Sequence, residues 1–193
     1  MRKILTQGEK EKKETRNKLI IGLVLVAIMV LSTVGYSFFS GSEDARAEMS
    51  YNGIKFVLNE NNLWQFKIQN FEFLTSFNPQ ETENISAPVL KTISDFYGKP
   101  LFFVGSGEAK QEIERNLGDF TSRVQEACIE EKNCKEELPI KNCSDNIIII
   151  EEKEDVKISQ EENCVFIFSP YDEQVRAADA FIFKVLGVKG DIF

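Results

Sequence analysis

From Leu19 to Phe39 the chain reads LIIGLVLVAIMVLSTVGYSFF, 21 residues without a charge, flanked by Lys18 and, farther on, Glu43. A helix of that length rises about 31 Å, which matches the ~30 Å hydrocarbon thickness of a bilayer. Tyr36, Phe38 and Phe39 fall at its far end, where aromatic rings favour the headgroup layer. Ser32, Thr33 and Ser37 are tolerable because a hydroxyl can bond back to a helix carbonyl. The apolar run is longer than a core helix needs, and it exceeds the ~7–15 residue core of a cleaved signal peptide. Ala45-Arg46-Ala47 offers a small-residue cleavage site, but the basic region before the apolar run is long. The expectation is a retained transmembrane helix that meets the lipid bilayer through Leu19–Phe39.

Charge gives the orientation. The chain carries a net charge of −8, yet its first 39 residues hold seven Lys or Arg against three Glu. The head is therefore net +4 and the remainder net −12. Lys- and Arg-rich flanks stay on the cytoplasmic side. The expected layout is a basic cytoplasmic tail over 1–18, a span over 19–39, a polar tether over 40–50 and an extracytoplasmic domain over 51–193. An acidic body also excludes a general nucleic-acid binder, since phosphate contacts need clustered Lys and Arg.

Beyond the tether the hydrophobic period becomes two. Ile54, Phe56 and Leu58 alternate with polar residues, as do Trp64, Phe66 and Ile68, and Asn59-Glu60-Asn61-Asn62 between them is turn chemistry. Asn70 marks another turn before Phe71 and Phe73, which gives a three-strand meander with one apolar face. SAPVLKTISDFYGKP predicts a helix capped by Ser86 and ended by Gly98 and Pro100. PLFFVG predicts a buried strand. Ala109, Ile113, Leu117, Phe120, Val124 and Cys128, at steps of three and four, predict one helix from Glu108 through Cys128. NIIIIEE and CVFIFS read as buried strands, DVKIS as an edge strand, and YDEQVRAADAFIFKVLGV as a closing helix stopped by Gly187. The fold class is α/β or α+β: one mixed-sheet domain, an antiparallel meander followed by α-β-α-β-(β)-β-α.

The four cysteines follow C-x5-C-x8-C-x20-C. That spacing suits neither zinc, whose ligands come in close pairs, nor a C-x-x-C redox centre. With an exported domain it predicts two disulfides that brace the fold; of the three connectivities that four cysteines allow, Cys128–Cys134 with Cys143–Cys164 is preferred, because parallel strand starts bring the latter pair within bonding reach. Placing Cys128 at a helix end, and Cys143 and Cys164 at strand starts, gathers all four sulfurs at one pole.

Signals for catalysis are few. There is no histidine, so Ser-His and Cys-His dyads are excluded. The acids cluster in runs such as EEKNCKEE that read as solvated loops. Gly105-Ser106-Gly107 after a strand resembles a phosphate loop, but Lys110 replaces the third glycine of the fingerprint and Glu108 would repel phosphate. No catalytic, cofactor or metal residue is assigned. Asn84-Ile85-Ser86 and Asn142-Cys143-Ser144 match the glycosylation acceptor, which makes Asn84 and Asn142 candidate sites. The function expected is binding to a protein partner at the cell envelope. The alternatives are an extracytoplasmic hydrolase using Asp or Glu, and a structural subunit of a membrane complex, although the span lacks Gly-x-x-x-Gly.

Overall fold

The computed structural model describes residue 16 and residues 18–30, 47–129, 134 and 137–189. Two units are distinct, 1–45 and 46–193. In the first, residues 18–30 are helical and their apolar side chains are exposed, Leu19, Leu23 and Met29 among them. The expected span continues over 31–39, which lie outside the described residues. Among the described residues no helix is long and apolar enough to cross a membrane.

The second unit is a mixed α/β fold with two sheets, where the sequence predicted one. The first sheet is an antiparallel meander of β1 (Glu48–Tyr51), β2 (Ile54–Leu58), β3 (Trp64–Ile68) and β4 (Phe71–Thr75). β1 takes up the end of the stretch assigned to the tether. It is joined to β2 by Asn52-Gly53, both at positive φ (48° and 79°), as a tight type I′ hairpin requires.

The second sheet has the order β6-β5-β7-β9-β8 and comprises β5 (Pro100–Val104), β6 (Arg123–Glu126), β7 (Ile147–Glu152), β8 (Lys157–Glu161) and β9 (Cys164–Ser169). All neighbours are parallel except β8, which is antiparallel to β9 and forms the edge, as expected of DVKIS.

Two expected helices are shorter than the apolar stripes implied. The helix over 86–100 reduces to α1 (Ile93–Phe96), capped by Thr92 and Asp95. Pro88 disfavours helical geometry in the residue before it, the Val89 N–H donates to the Ala87 carbonyl in a tight turn, and no helix begins until after Thr92. The long helix ends at Leu117, so α2 is Glu108–Leu117, followed by a 3-10 turn over Gly118–Phe120. Val124 then lies on β6 and Cys128 just beyond it. The open edge of β5 captures 123–126 as a strand, which outweighs the helical spacing. The closing helix, α3 (Gln174–Val185), appears as expected, with Gly187 at φ 72° behind it.

Both longer helices lie on one face of the second sheet. There Leu101, Phe103, Ile148, Ile150, Val165 and Ile167 pack against Ile113, Leu117, Ala178 and Phe181. α3 is buried on its opposite side as well. Phe183 and Val188 meet Phe56, Phe66 and Phe73 of the meander, with the Phe183 ring 5.8 Å from Phe66 and 6.1 Å from Phe56. The domain is therefore a meander, a helical layer and a mainly parallel sheet. The outer face of that sheet bears Phe102, Ile147, Ile149 and Cys164. The segment around Lys141 and Cys143 covers it, with Lys141 Nζ 4.4 Å from the centre of the Phe102 ring.

The disulfides join Cys128 to Cys134 and Cys143 to Cys164, with Cα separations of 5.5 and 4.9 Å. They do not share one pole. Register aligns Cys164 with Ile147, Phe102 and Gln125, so Cys128 lies three residues farther along β6. At ~3.3 Å per residue the bridges stand roughly 10 Å apart along the strands.

Candidate functional site

Where the meander meets the helical layer, an open groove of about 440 Å³ is left between the β3–β4 turn, α1 and the 3-10 turn. Its lining includes Ile68, Phe71, Phe73, Tyr97, Phe120 and Leu186, and no charged residue. Local sequence builds each wall. Gln69 at φ 55° closes the two-residue turn that carries Phe71 outward. α1 stops at Phe96, so Tyr97 leaves the helix and projects into solvent. Gly118 ends α2 and turns Phe120 across the strand ends. Phe120 stacks on Phe73, centroids 5.9 Å apart, and meets Phe71 edge-on at 4.9 Å. Phe71 remains 50% exposed and Tyr97 69% exposed. Aromatic rings held in place around an uncharged hollow of this size can take up a neutral apolar group. Phe71 and Phe73 were expected on a strand, whereas Tyr97 was expected inside the helix over 86–100 and Phe120 in the apolar stripe of the helix from Glu108. The short helices release both to the groove.

A second polar cluster lies behind β4. The outward backbone of this edge strand is met by side chains. Asn116 accepts from the Leu74 N–H (3.0 Å) and donates to the Leu74 carbonyl (2.7 Å). Glu112 accepts from the Ser76 N–H (2.9 Å) and hydroxyl (3.1 Å) and pairs with Arg115. Asp179 Oδ2 accepts from the Phe77 N–H at 2.8 Å. Glu112 and Asp179 are both buried; with both ionised no donor reaches Oδ1 of Asp179, whereas a proton on Asp179 allows a side-chain hydrogen bond to Glu112. Burial, then the neighbouring Glu112 charge, push the Asp179 carboxyl well above the usual aspartate range, against the Phe77 N–H and Arg115. A cleft of about 410 Å³ opens at the pair, lined by Ser76, Glu108, Gln111, Glu112, Arg115 and Asp172. The sequence carried one signal for this cluster: an acid within the apolar run Ala177–Phe183 of a helix.

The glycine loop has a packing explanation. Gly105 is at φ 102°, and a Cβ there would lie 2.3 Å from the Ile150 carbonyl oxygen, so glycine lets β5 approach β7. The crevice beyond it is lined by Glu126 and Glu151, unsuited to phosphate. Among the described residues no group of His, Cys, Asp or Glu is arranged to hold a metal ion. Asn84 and Asn142 are both exposed, and Asn142 Oδ1 accepts from the Ser144 N–H at 2.9 Å.

No family model, curated protein or solved structure matches the chain.

Proposed function

We propose that this chain is a single-pass membrane protein whose 46–193 domain stands on the oxidising side and works by binding. The groove of Phe71, Phe73, Tyr97 and Phe120 is the seat of an uncharged apolar group of its partner. The observation that carries this reading is the exposure of Phe71 and Tyr97 around a hollow that no charge lines. The length of Leu19–Phe39 and the basic head support the anchor and its orientation. Two disulfides support an oxidising location, where they persist. On that side Asn84 and Asn142 become acceptors for a sugar.

The test has two arms. Protease added to sealed cells should remove the C-terminal domain and spare the lysine-rich head; the reverse pattern refutes the topology. Phe71→Ser with Tyr97→Ser should leave the melting temperature within a few degrees of the parent, because both side chains are already in water. The same pair should abolish capture of the native partner by crosslinking in membranes. Unchanged capture would remove the groove from the reading.

A further inference from the structure

The groove and the carboxylate cluster share two elements. β4 supplies Phe71 and Phe73 to the groove and, at its other end, is held through Leu74, Ser76 and Phe77 by Asn116, Glu112 and Asp179. α2 carries Glu112 and Asn116, and the turn that follows it delivers Phe120 to the groove, stacked on Phe73. Any shift of β4 against α2 therefore changes both the cluster and the spacing of Phe73 from Phe120.

We propose that Glu112 and Asp179 form a proton-gated clasp on the 74–77 segment, and that its state sets the width of the aromatic groove. The second clause rests on the groove being the binding site; the first does not. The charges that face the pair come from three places, and Glu108 of α2 and Asp172 of the turn before α3 line the same cleft as Glu112 and add negative charge there. Arg115 of α2 balances Glu112. Arg176, one turn before Asp179 on α3, is committed to Glu173 at 2.6 Å. The 76–77 segment offers only backbone N–H groups and the Ser76 hydroxyl. With both carboxyls ionised, one buried negative charge is left without a counterion, and a proton on Asp179 removes it. The sign follows from burial. The folded domain holds this proton more tightly than the unfolded chain, whose aspartate titrates near 3.8. The clasp is therefore complete in acid and is lost as pH rises through the raised folded value. Water reaching the ionised pair is admitted by release of the 76–77 backbone.

Hydrogen exchange on the full chain in lipid nanodiscs, corrected for intrinsic rates, tests the clasp between pH 5 and 9. Protection of the 74–77 amides should fall by up to about tenfold for each pH unit between the ordinary aspartate range and the raised Asp179 titration, and should level off above it. In Asp179→Asn it should stay flat, and in Glu112→Gln, which removes the charge that helps to raise Asp179, the fall should end at lower pH. Protection at 74–77 that follows the rest of the domain at every pH overturns the proposal, as does a pH-dependent Asp179→Asn. Should neither variant fold, the 13C carboxyl resonance of Asp179 in the parent decides, and titration near the ordinary value overturns it. Indole serves as the neutral aromatic probe, read from fluorotyrosine at Tyr97. No indole response at any pH removes the groove reading and leaves the clasp standing on exchange alone. An indole affinity that ignores pH while exchange varies removes the coupling.

Discussion

Phe183 and Asp179 stand one turn apart on α3 and face different problems. Phe183 is fully buried between the rings of Phe56 and Phe66, so it links the meander to the helical layer. Phe183→Ala should cost about 3–5 kcal/mol, since the rings around it belong to strands that cannot collapse into the space. The denaturation midpoint in guanidinium reports that loss. Asp179 is as deeply buried, yet its role is to complete the hydrogen bonding of a backbone, with Phe77 as its donor. Lys91 shows the same use of a charged side chain. Burial lowers its pKa, and its ammonium is held by the amide oxygens of Asn146 and Asn163, which bolts the 89–92 segment onto the starts of β7 and β9. Lys91 does not stand out in the sequence, because an isolated Lys beside apolar residues reads like any surface charge, and Asp179 is marked only by its place within the apolar run Ala177–Phe183.

Strands were more legible than helices. The isoleucine run of β7 and the alternation in β2 and β3 each admit one reading, and the structure follows them. Spacing alone misled at 118–128, where Phe120, Val124 and Cys128 fit a helical stripe that a free strand edge claims instead. β1 was missed although Asn52-Gly53 is a strong hairpin signal, because Glu48-Met49-Ser50-Tyr51 lacks a continuous apolar face. The cysteine partners follow from nearness along the chain and from strand starts, so the pairing survives even though Cys128 is not on a helix. Gly105 fits a mimic of a phosphate loop in sequence and a strand-packing position in three dimensions. Gly105→Ala should lower stability by more than about 1 kcal/mol, through its positive φ and the clash with the Ile150 carbonyl. Urea unfolding measures it; a neutral result would mean that β5 and β7 can separate at no cost.

Taken together, the domain protects the two faces of its parallel sheet unequally. One is roofed by helices, the other by a segment tied down through Cys143–Cys164. By chain entropy alone the short and long bridges contribute about 2 and about 3 kcal/mol, comparable to much of a domain's net stability. Reductant should therefore lower the melting temperature of the domain by many degrees. Cys143→Ser with Cys164→Ser should reproduce most of that drop, and Cys128→Ser with Cys134→Ser less of it; equal effects would contradict the unequal roofing. The same asymmetry governs how the protein is obtained. Overproduced in a reducing cytosol, the chain would bare Phe102, Ile147 and Ile149 before any cover was fixed, and such β-rich ladders collect into inclusion bodies. Secretion through an oxidising periplasm would give folded material instead.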